Sequence, residues 1–297
     1  MEDQVEVIGA LGDLGVAGNG VAIDAQDAVS EVSNSEVGVS DLELRVRKCA
    51  NKVDLLNNIM GNVPVIDRDP ALALRLLTQQ EKVFNEERNE VFEALRHKCY
   101  VEVLDGLSDV FVVAQGFGLL NRPVAIEDVE AGKIDTVYAG HVGSVVHSQG
   151  VGALSNVMRE SFSHAFDIAR IEAERLFIQE LGIAPEVYLE ATVKALELVC
   201  ENNLSKATDD VDVAHAWLEG LTEKQLVDEG YHIRSSEVSE VIWYALFDKN
   251  GKFRKHNNFV GVDLQPVVDE LLQGVNPDLL VDQELAYEGF KRAMGGK

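Results

Sequence analysis

Two neighbouring stretches decide the fold and the chemistry of this chain: EERNEVFEAL at residues 86–95 and VEVLDGLSDVFVVA at residues 101–114. The spacing of their apolar side chains predicts two helices, and the second is apolar nearly all round, as buried helices are. Both helices nevertheless carry carboxylates. An ionised carboxylate in an apolar setting costs on the order of several kcal/mol unless a partner compensates it. The identity of that partner is the question that these stretches raise.

A helical wheel places the glutamates of the first stretch on different faces. Glu87 falls inside an apolar stripe and Glu90 lies at its edge, one turn along the helix. Glu86 points away and is expected to be a surface charge. The stripe comprises Ala73, Leu76, Leu77, Gln80, Phe84, Val91 and Leu95. The first helix therefore turns Glu87 toward the core and holds Glu90 beside it.

The second helix concentrates acidic side chains on one face. Asp105 and Asp109 are four residues apart, and Glu102 precedes Asp105 by three on the same face. Like charges at this spacing destabilise a helix unless they are neutralised. Arginine or lysine partners, raised pKa values and a bound cation are the possible compensations, and basic residues are few nearby.

Converging carboxylates form an oxygen-only set of ligands, which suits Mg²⁺ or Mn²⁺. We therefore predict a metal site at Glu87, Glu90, Asp105 and Asp109. The alternative is a buried network of ion pairs, or helix edges that face solvent.

Four segments, in their order along the chain, resemble the MazG-like, phosphoribosyl-ATP-pyrophosphohydrolase-like superfamily of all-α NTP pyrophosphohydrolases, in its phage-type branch. They are EERNE at 86–90, DGLSD at 105–109, CENNLSK at 200–206 and DKNGKFRKHNNF at 248–259. The resemblance covers about residues 41–121 and 163–265.

The chain departs from the family pattern at one position. Many members carry a glutamate three residues before the last aspartate, where this chain has Gly106. Asp105 lies next to it and is the candidate for the missing fourth ligand. Glu102 and Asp105 also spell Glu-x-x-Asp, one turn earlier than the usual register.

The resemblance implies an Mg²⁺-dependent hydrolase that cleaves a (d)NTP or a related nucleotide to monophosphate and pyrophosphate, in control of the nucleotide pool. Glu87 and Asp105 would be catalytic, and Glu87, Glu90, Asp105 and Asp109 would hold Mg²⁺ or Mn²⁺. Asn203, Lys206, Lys252 and Lys255 would contact the substrate. Two alternatives stay open: a catalytically inactive nucleotide-binding or interaction protein on the same fold, and a structural helical protein whose carboxylates form ion pairs.

The composition limits the partners that we expect. The net charge is −25, from 51 acidic and 26 basic side chains among 297 residues, and such a surface repels nucleic acids and anionic membranes. The three cysteines have no paired spacing, which favours neither a disulfide framework nor a zinc site. Without a signal peptide or membrane span, we expect a cytoplasmic protein, in the host cytoplasm if a phage encodes it.

The predicted fold class is mainly α: a MazG-like helical bundle, forming a homodimer or homotetramer, with a small β-hairpin and an irregular insertion. Helices are predicted over about 41–60, 70–96, 101–119, 163–181, 185–202, 265–273 and 280–293, and the hairpin over 238–255. The predicted segments are an acidic arm at 1–40, the first part of the core at 41–121, the insertion or lid at 122–160, the rest of the core at 161–265 and a C-terminal helical extension at 266–297.

Overall fold

The computed structural model describes residues 41–62, 70–120 and 164–295. Within these ranges the chain is mainly helical with one small antiparallel sheet, which confirms the predicted fold class at this level. No helix in the same ranges is long and apolar enough to cross a membrane. The predicted acidic arm and the predicted insertion lie outside the described residues.

The elements follow one another in this order: α1 (Asp41–Met60), α2 (Pro70–His97), α3 (Tyr100–Leu120), α4 (164–174), a π-helical turn (Arg175–Glu180), α5 (Pro185–Leu204), β1 (Ala207–Thr208), α6 (Val211–Glu219), a second π-helical turn (Lys224–Asp228), β2 (His232–Val238), β3 (Val241–Phe247), β4 (Phe253–Arg254), α7 (Gln265–Leu271), a 3-10 turn (Pro277–Leu279) and α8 (Gln283–Ala293). Their contacts divide them into two units. Of the described residues, 70–120, 164–199 and 263–295 belong to the first unit, and 41–62 and 200–262 belong to the second.

The local signals for helix ends act as expected. Helix α1 ends at Met60 and is followed by Gly61 at φ +71°, a conformation that glycine adopts without strain. Helix α2 begins at Pro70, whose missing N–H costs nothing in a first turn. Helix α6 and strand β2 were not predicted from the sequence. Both are short and mostly exposed or half-buried, so they carry no clear apolar pattern.

Helices α2 and α3 form the antiparallel pair that carries the predicted carboxylates. Only residues 98 and 99 separate them, and Lys98 adopts a positive φ of 54° at the reversal. Val91 of α2 faces Gly106 of α3, and further along the pair Gln80 Nε2 donates to the Val113 carbonyl at 2.8 Å. The Gln283 side chain of α8 accepts from the Tyr100 N–H at 3.0 Å, so it caps the start of α3.

The second unit packs α1 against the sheet. Strand β3 pairs antiparallel with β1, β2 and β4. A small core joins Ile59 of α1 to Ala207, Ala245 and Phe247. Ser236 Oγ donates to the Ile59 carbonyl at 2.8 Å, which fixes the end of α1 on the strands.

The predicted hairpin is present around its KNGK turn, where β3 pairs with β4. The longer hairpin joins β2 to β3 through Ser239 and Glu240, both at positive φ, as a two-residue type I′ hairpin turn requires. Asp248 holds the KNGK turn: its Oδ1 accepts from the N–H groups of Asn250 and Lys252, and its Oδ2 accepts from the Arg254 guanidinium at 2.6 Å.

Candidate functional site

The glutamates of α2 divide between solvent and the helix pair as the wheel predicts. The Glu86 side chain is 60% exposed and lies 3.9 Å from Lys82. Glu87 and Glu90 are half-buried, next to a face of α2 whose Phe84 and Val91 are buried. The prediction that Glu86 is a surface charge, and that Glu87 and Glu90 turn inward, is therefore confirmed.

Helix α3 brings three carboxylates to the same place. Glu102, Asp105 and Asp109 are half-buried on a helix whose apolar residues, Val103 and Leu104 among them, are buried. Their order along α3 opposes that of the glutamates on α2, because the helices are antiparallel. Together the five form what we term the carboxylate cluster: Glu87, Glu90, Glu102, Asp105 and Asp109.

The electrostatic coupling between the two helices is strong at Glu87. Burial and, after it, the charges of Asp109, Glu90, Asp105 and Glu86, in decreasing order, together raise the pKa of the Glu87 carboxyl from 4.5 to about 8. Desolvation raises a carboxyl pKa because it disfavours the charged form, and neighbouring anions act in the same direction. Glu87 therefore keeps its proton at neutral pH unless positive charge enters the cluster.

Glu102 belongs to the cluster although the family pattern does not include it. Burial raises the pKa of Glu102 to about 7, and the charges of Asp105 and Glu90 contribute. Its signal in the sequence is the i, i+3 spacing to Asp105, which lies one turn earlier than the family register. In this fold that Glu-x-x-Asp pair faces α2, so Glu102 and Asp105 are the acidic pair opposite Glu90.

Position 106 has no room for an acidic side chain. A Cβ atom on Gly106 would lie 2.9 Å from Val91 Cβ and 3.1 Å from Val91 Cα. Contacts below about 3 Å require the helices to move apart, and close helix crossings favour glycine for this reason. The glycine therefore allows α2 and α3 to approach closely, and Glu102 and Asp105 supply the acidic groups on either side of the contact.

Neither Glu87 nor Glu102 forms an ion pair with a basic side chain of the described residues; all the charges that act on them are carboxylates. On α2, the basic groups pair with other glutamates: Lys82 with Glu86, and Arg96 with Glu93 at 2.9 Å. An ion-pair network therefore does not compensate these two half-buried carboxyls, within the part of the chain that the structure describes.

The carboxylate cluster fits a hard divalent cation by its chemistry, since its donors are all oxygens and no described basic side chain pairs with Glu87 or Glu102. Its side chains are not arranged as a finished coordination shell: over the described ranges, no three histidine, cysteine or acidic groups come together as metal ligands would. The positive charge of a bound cation would offset the mutual repulsion of these carboxylates.

The second unit brings together three of the four residues predicted to bind substrate. Lys206 Nζ lies 5.4 Å and Lys255 Nζ 4.8 Å from the centroid of the Phe259 ring. Both distances are within the range of cation–π attraction. Lys206 Nζ also donates to Asn203 Oδ1. Two ammonium groups on one ring form a local positive site in a strongly acidic protein.

His256 completes this group, which we term the lysine–aromatic cluster. Its ring stacks on Trp217 at 4.4 Å with an interplanar angle of 1°, and it meets Phe259 edge-on at 6.0 Å. Trp217 is buried, as expected of a core residue. Sequence reasoning missed His256, although it follows Lys255 directly.

Lys252 occupies a different position, in the KNGK turn. Its N–H donates to Asp248 Oδ1 at 2.9 Å, its carbonyl accepts from the Asp248 N–H, and the residue is exposed. The structure does not group Lys252 with the Phe259 ring. The carboxylate cluster belongs to the first unit and the lysine–aromatic cluster to the second.

In comparisons with known proteins, no protein-family model, curated protein or solved structure matches the chain.

Proposed function

We propose that this protein is an Mg²⁺-dependent nucleotide pyrophosphohydrolase that cleaves a (d)NTP or a related nucleotide to monophosphate and pyrophosphate. The resemblance to the MazG-like superfamily motivates the proposal. The observation that carries it is the carboxylate cluster, in which Glu87 and Glu102 are half-buried, electrostatically coupled to other carboxylates and not paired with a described basic side chain. A divalent cation would offset the negative charge of the cluster and would assist hydrolysis of a phosphoanhydride bond.

The proposed reaction needs a group that removes a proton and groups that orient the nucleotide. The oxygen of a water molecule bonds to the α-phosphorus, the bond from that phosphorus to the α–β bridging oxygen breaks, and pyrophosphate leaves. When bound, Mg²⁺ or Mn²⁺ would acidify the water and neutralise charge on the phosphates.

Glu87, Glu90 and Asp109 are the proposed metal ligands. Asp105 acts on both Glu87 and Glu102, and this central position suits either a fourth ligand or the base that accepts the proton of the water. Glu87 must lose its own proton to serve as a ligand, so binding of the cation and deprotonation of Glu87 are coupled.

The lysine–aromatic cluster is the proposed phosphate-binding element. Lys206 and Lys255 present compact positive charges that suit phosphate oxygens, and Asn203 offers an amide for sugar or base. A chain with a net charge of −25 repels a nucleoside triphosphate overall, so locally placed cations are necessary for binding. Lys252 is proposed to act through the turn that it closes rather than through its ammonium group.

The proposal places the protein in the cytoplasm as a homodimer or homotetramer that acts in nucleotide-pool control. Small helical units of this kind complete their apolar core by self-association, and light scattering after size-exclusion chromatography measures the assembly directly.

The test is incubation of the purified protein with a panel of NTPs and dNTPs and Mg²⁺, with products separated by ion exchange. We expect monophosphate and pyrophosphate from at least one nucleotide. We expect Glu87→Gln to abolish turnover and the matched control Glu86→Gln to retain it, because Glu86 is exposed. Release of diphosphate and inorganic phosphate, or full activity of Glu87→Gln, would refute the assignment.

A catalytically inactive nucleotide-binding protein is the second candidate, favoured by the lack of a finished coordination shell among the described residues. It predicts that a nucleotide binds and that no product forms with either Mg²⁺ or Mn²⁺. Equilibrium binding of a non-hydrolysable triphosphate, measured beside the product assay, separates the two candidates.

A further inference from the structure

Strand β2 forms one edge of the antiparallel sheet. Strand β3 pairs with it on one side, and no other described strand lies on the opposite side. All seven residues of β2 are in regular register with β3, and the strand contains no bulge, proline or lysine. Bulges, prolines and lysines are among the devices that keep edge strands from pairing with other chains. The edge is therefore suited to accept a further strand.

The register of the hairpin shows which main-chain groups are open. Its two-residue turn makes Val238 and Val241 a hydrogen-bonded pair, and such pairs alternate along an antiparallel ladder. The N–H and C=O groups of Ile233, Ser235 and Glu237 therefore point away from β3. No other described residue donates to these groups or accepts from them.

Helix α1 contacts β2 through side chains on one face of the sheet. There Ser236 Oγ donates to the Ile59 carbonyl at 2.8 Å, and Arg234 donates to the Met60 carbonyl. Arg234 also lies over the ring of Phe247 on β3, with 3.6 Å between the guanidinium carbon and the ring centroid. The charge of Arg234 is thus directed over the sheet rather than across its edge.

The open groups are symmetric about Ser235. If a second β2 lies antiparallel beside the first, with the two Ser235 residues opposite each other, Ile233 of each copy lies opposite Glu237 of the other. Each pair can exchange two main-chain hydrogen bonds, about six in total, so every open group gains a partner. Arg234 then lies opposite Ser236, and no like charges, which would oppose pairing, are directly opposite each other.

The charge of β2 also suits a second copy of the same strand. The strand carries one arginine and one glutamate, so it is close to neutral, whereas the whole chain has a net charge of −25. Two copies can therefore meet at this edge with little local repulsion.

We propose that the β2 edge is an interface between two copies of this chain, in which the two β2 strands pair antiparallel around Ser235 and join the two sheets into one. The pairing names a surface for the proposed self-association, and it does not depend on nucleotide hydrolysis.

The first test is Ser235→Pro. Proline removes an open N–H and places its ring where the partner strand would lie, and proline is tolerated at edge positions whose N–H faces solvent. We expect light scattering after size-exclusion chromatography to give this variant half the mass of the unsubstituted assembly, with unchanged helical circular dichroism. Ser236→Pro is the control for loss of the fold, since it removes an N–H that bonds to β3 and should lower the melting temperature.

The second test is disulfide cross-linking, which does not rely on proline. In the proposed pair the two Ser235 Cα atoms lie about 5.5 Å apart, within reach of a disulfide, so Ser235→Cys should form a covalent dimer on mild oxidation. Ser239→Cys is the matched control on the same hairpin, because its Cα would lie roughly 27 Å from its counterpart. The three native cysteines are buried, so both variants keep the same background.

Three results would each overturn the proposal: a monomeric unsubstituted protein at every concentration, a Ser235→Pro variant that folds and keeps the full mass, or a Ser235→Cys variant that cross-links no faster than Ser239→Cys. Should Ser235→Pro fail to fold, the cross-linking rates decide. Pyrophosphate release is measured separately, so a failure of this interface is distinguishable from a failure of the proposed hydrolysis.

Discussion

Replacement of Glu87 by glutamine should make the protein more stable, and increasingly so as the pH rises. Burial and the neighbouring carboxylates raise the pKa of Glu87 from 4.5 to about 8. Below about pH 4.5 the carboxyl is protonated in both the folded and unfolded states, so it costs nothing. Between pH 4.5 and about 8 the unfolded chain has lost the proton that the folded protein still holds, so stability falls as the pH rises. Above this window the loss is complete.

The magnitude follows from the same two pKa values. Each pH unit between 4.5 and about 8 lowers the free energy of unfolding by about 1.4 kcal/mol, which gives an upper limit of about 5 kcal/mol. Glu87 is only half-buried, and solvent screening reduces this to about 2 kcal/mol. Glutamine has a similar shape and no charge, so the variant should lose this pH dependence.

The assay is urea denaturation followed by circular dichroism at pH 5, 6.5 and 8, in the presence of EDTA. We expect the difference in the free energy of unfolding between Glu87→Gln and the unsubstituted protein to grow by about 2 kcal/mol from pH 5 to pH 8. Glu86→Gln is the matched control, since its exposed side chain should give the same difference at every pH. A Glu87→Gln difference that stays constant across these three pH values would refute the electrostatic account of the cluster.

Three further predictions concern other parts of the fold. Gly106→Ala should lower the free energy of unfolding by about 1–3 kcal/mol, because the added Cβ would collide with Val91. The control is Gly261→Ala, where the added Cβ meets open space. This variant should change the free energy of unfolding by less than about 0.5 kcal/mol in the same urea titration. Asp248→Asn should destabilise the protein by about 2 kcal/mol, through loss of its charge-assisted bonds to Arg254. Thermal melts at falling pH should show a smaller loss of stability for this variant than for the unsubstituted protein, since, despite burial, hydrogen bonds from the Lys252 and Asn250 N–H groups and from Arg254 hold the pKa of Asp248 below its usual value. Lys255→Ala should raise KM for the nucleotide about tenfold, while Lys252→Ala changes it less than about twofold, in steady-state assays of pyrophosphate release.

The helices were predictable because their signals are local. Pro70 at the start of α2 and Gly61 after α1 act within one turn of the chain, and the apolar stripe of α2 separated Glu86 from Glu87 correctly. Strand β2 was not predictable in this way. Its polar segment HIRSSEV becomes a strand because β3 supplies hydrogen bonds along its whole length.

The candidate site was predictable in part, for a related reason. Periodicity assigns side chains to faces of one helix, and Glu87, Glu90, Asp105 and Asp109 are half-buried as it predicts. It does not give the distance between two helices, which depends on the contact between Gly106 and Val91. That contact explains why position 106 lacks an acid and why Glu102 joins the cluster. The grouping of Lys206 with Lys255 on Phe259 likewise depends on pairing between distant segments.

Titration with Mn²⁺ at pH 7 tests most directly whether the carboxylate cluster holds a divalent cation. Free Mn²⁺ is counted by electron paramagnetic resonance, and released protons are counted in a weakly buffered sample. We expect Glu86→Gln and the unsubstituted protein to bind Mn²⁺ and to release at least about one proton for each ion bound, because the proton that Glu87 keeps at this pH must leave and Glu102, with a pKa of about 7, gives up part of its own. Glu87→Gln should bind Mn²⁺ at least about tenfold more weakly and release about one proton fewer for each ion bound. Equal binding by Glu87→Gln, or no Mn²⁺ binding by the unsubstituted protein, would contradict the account.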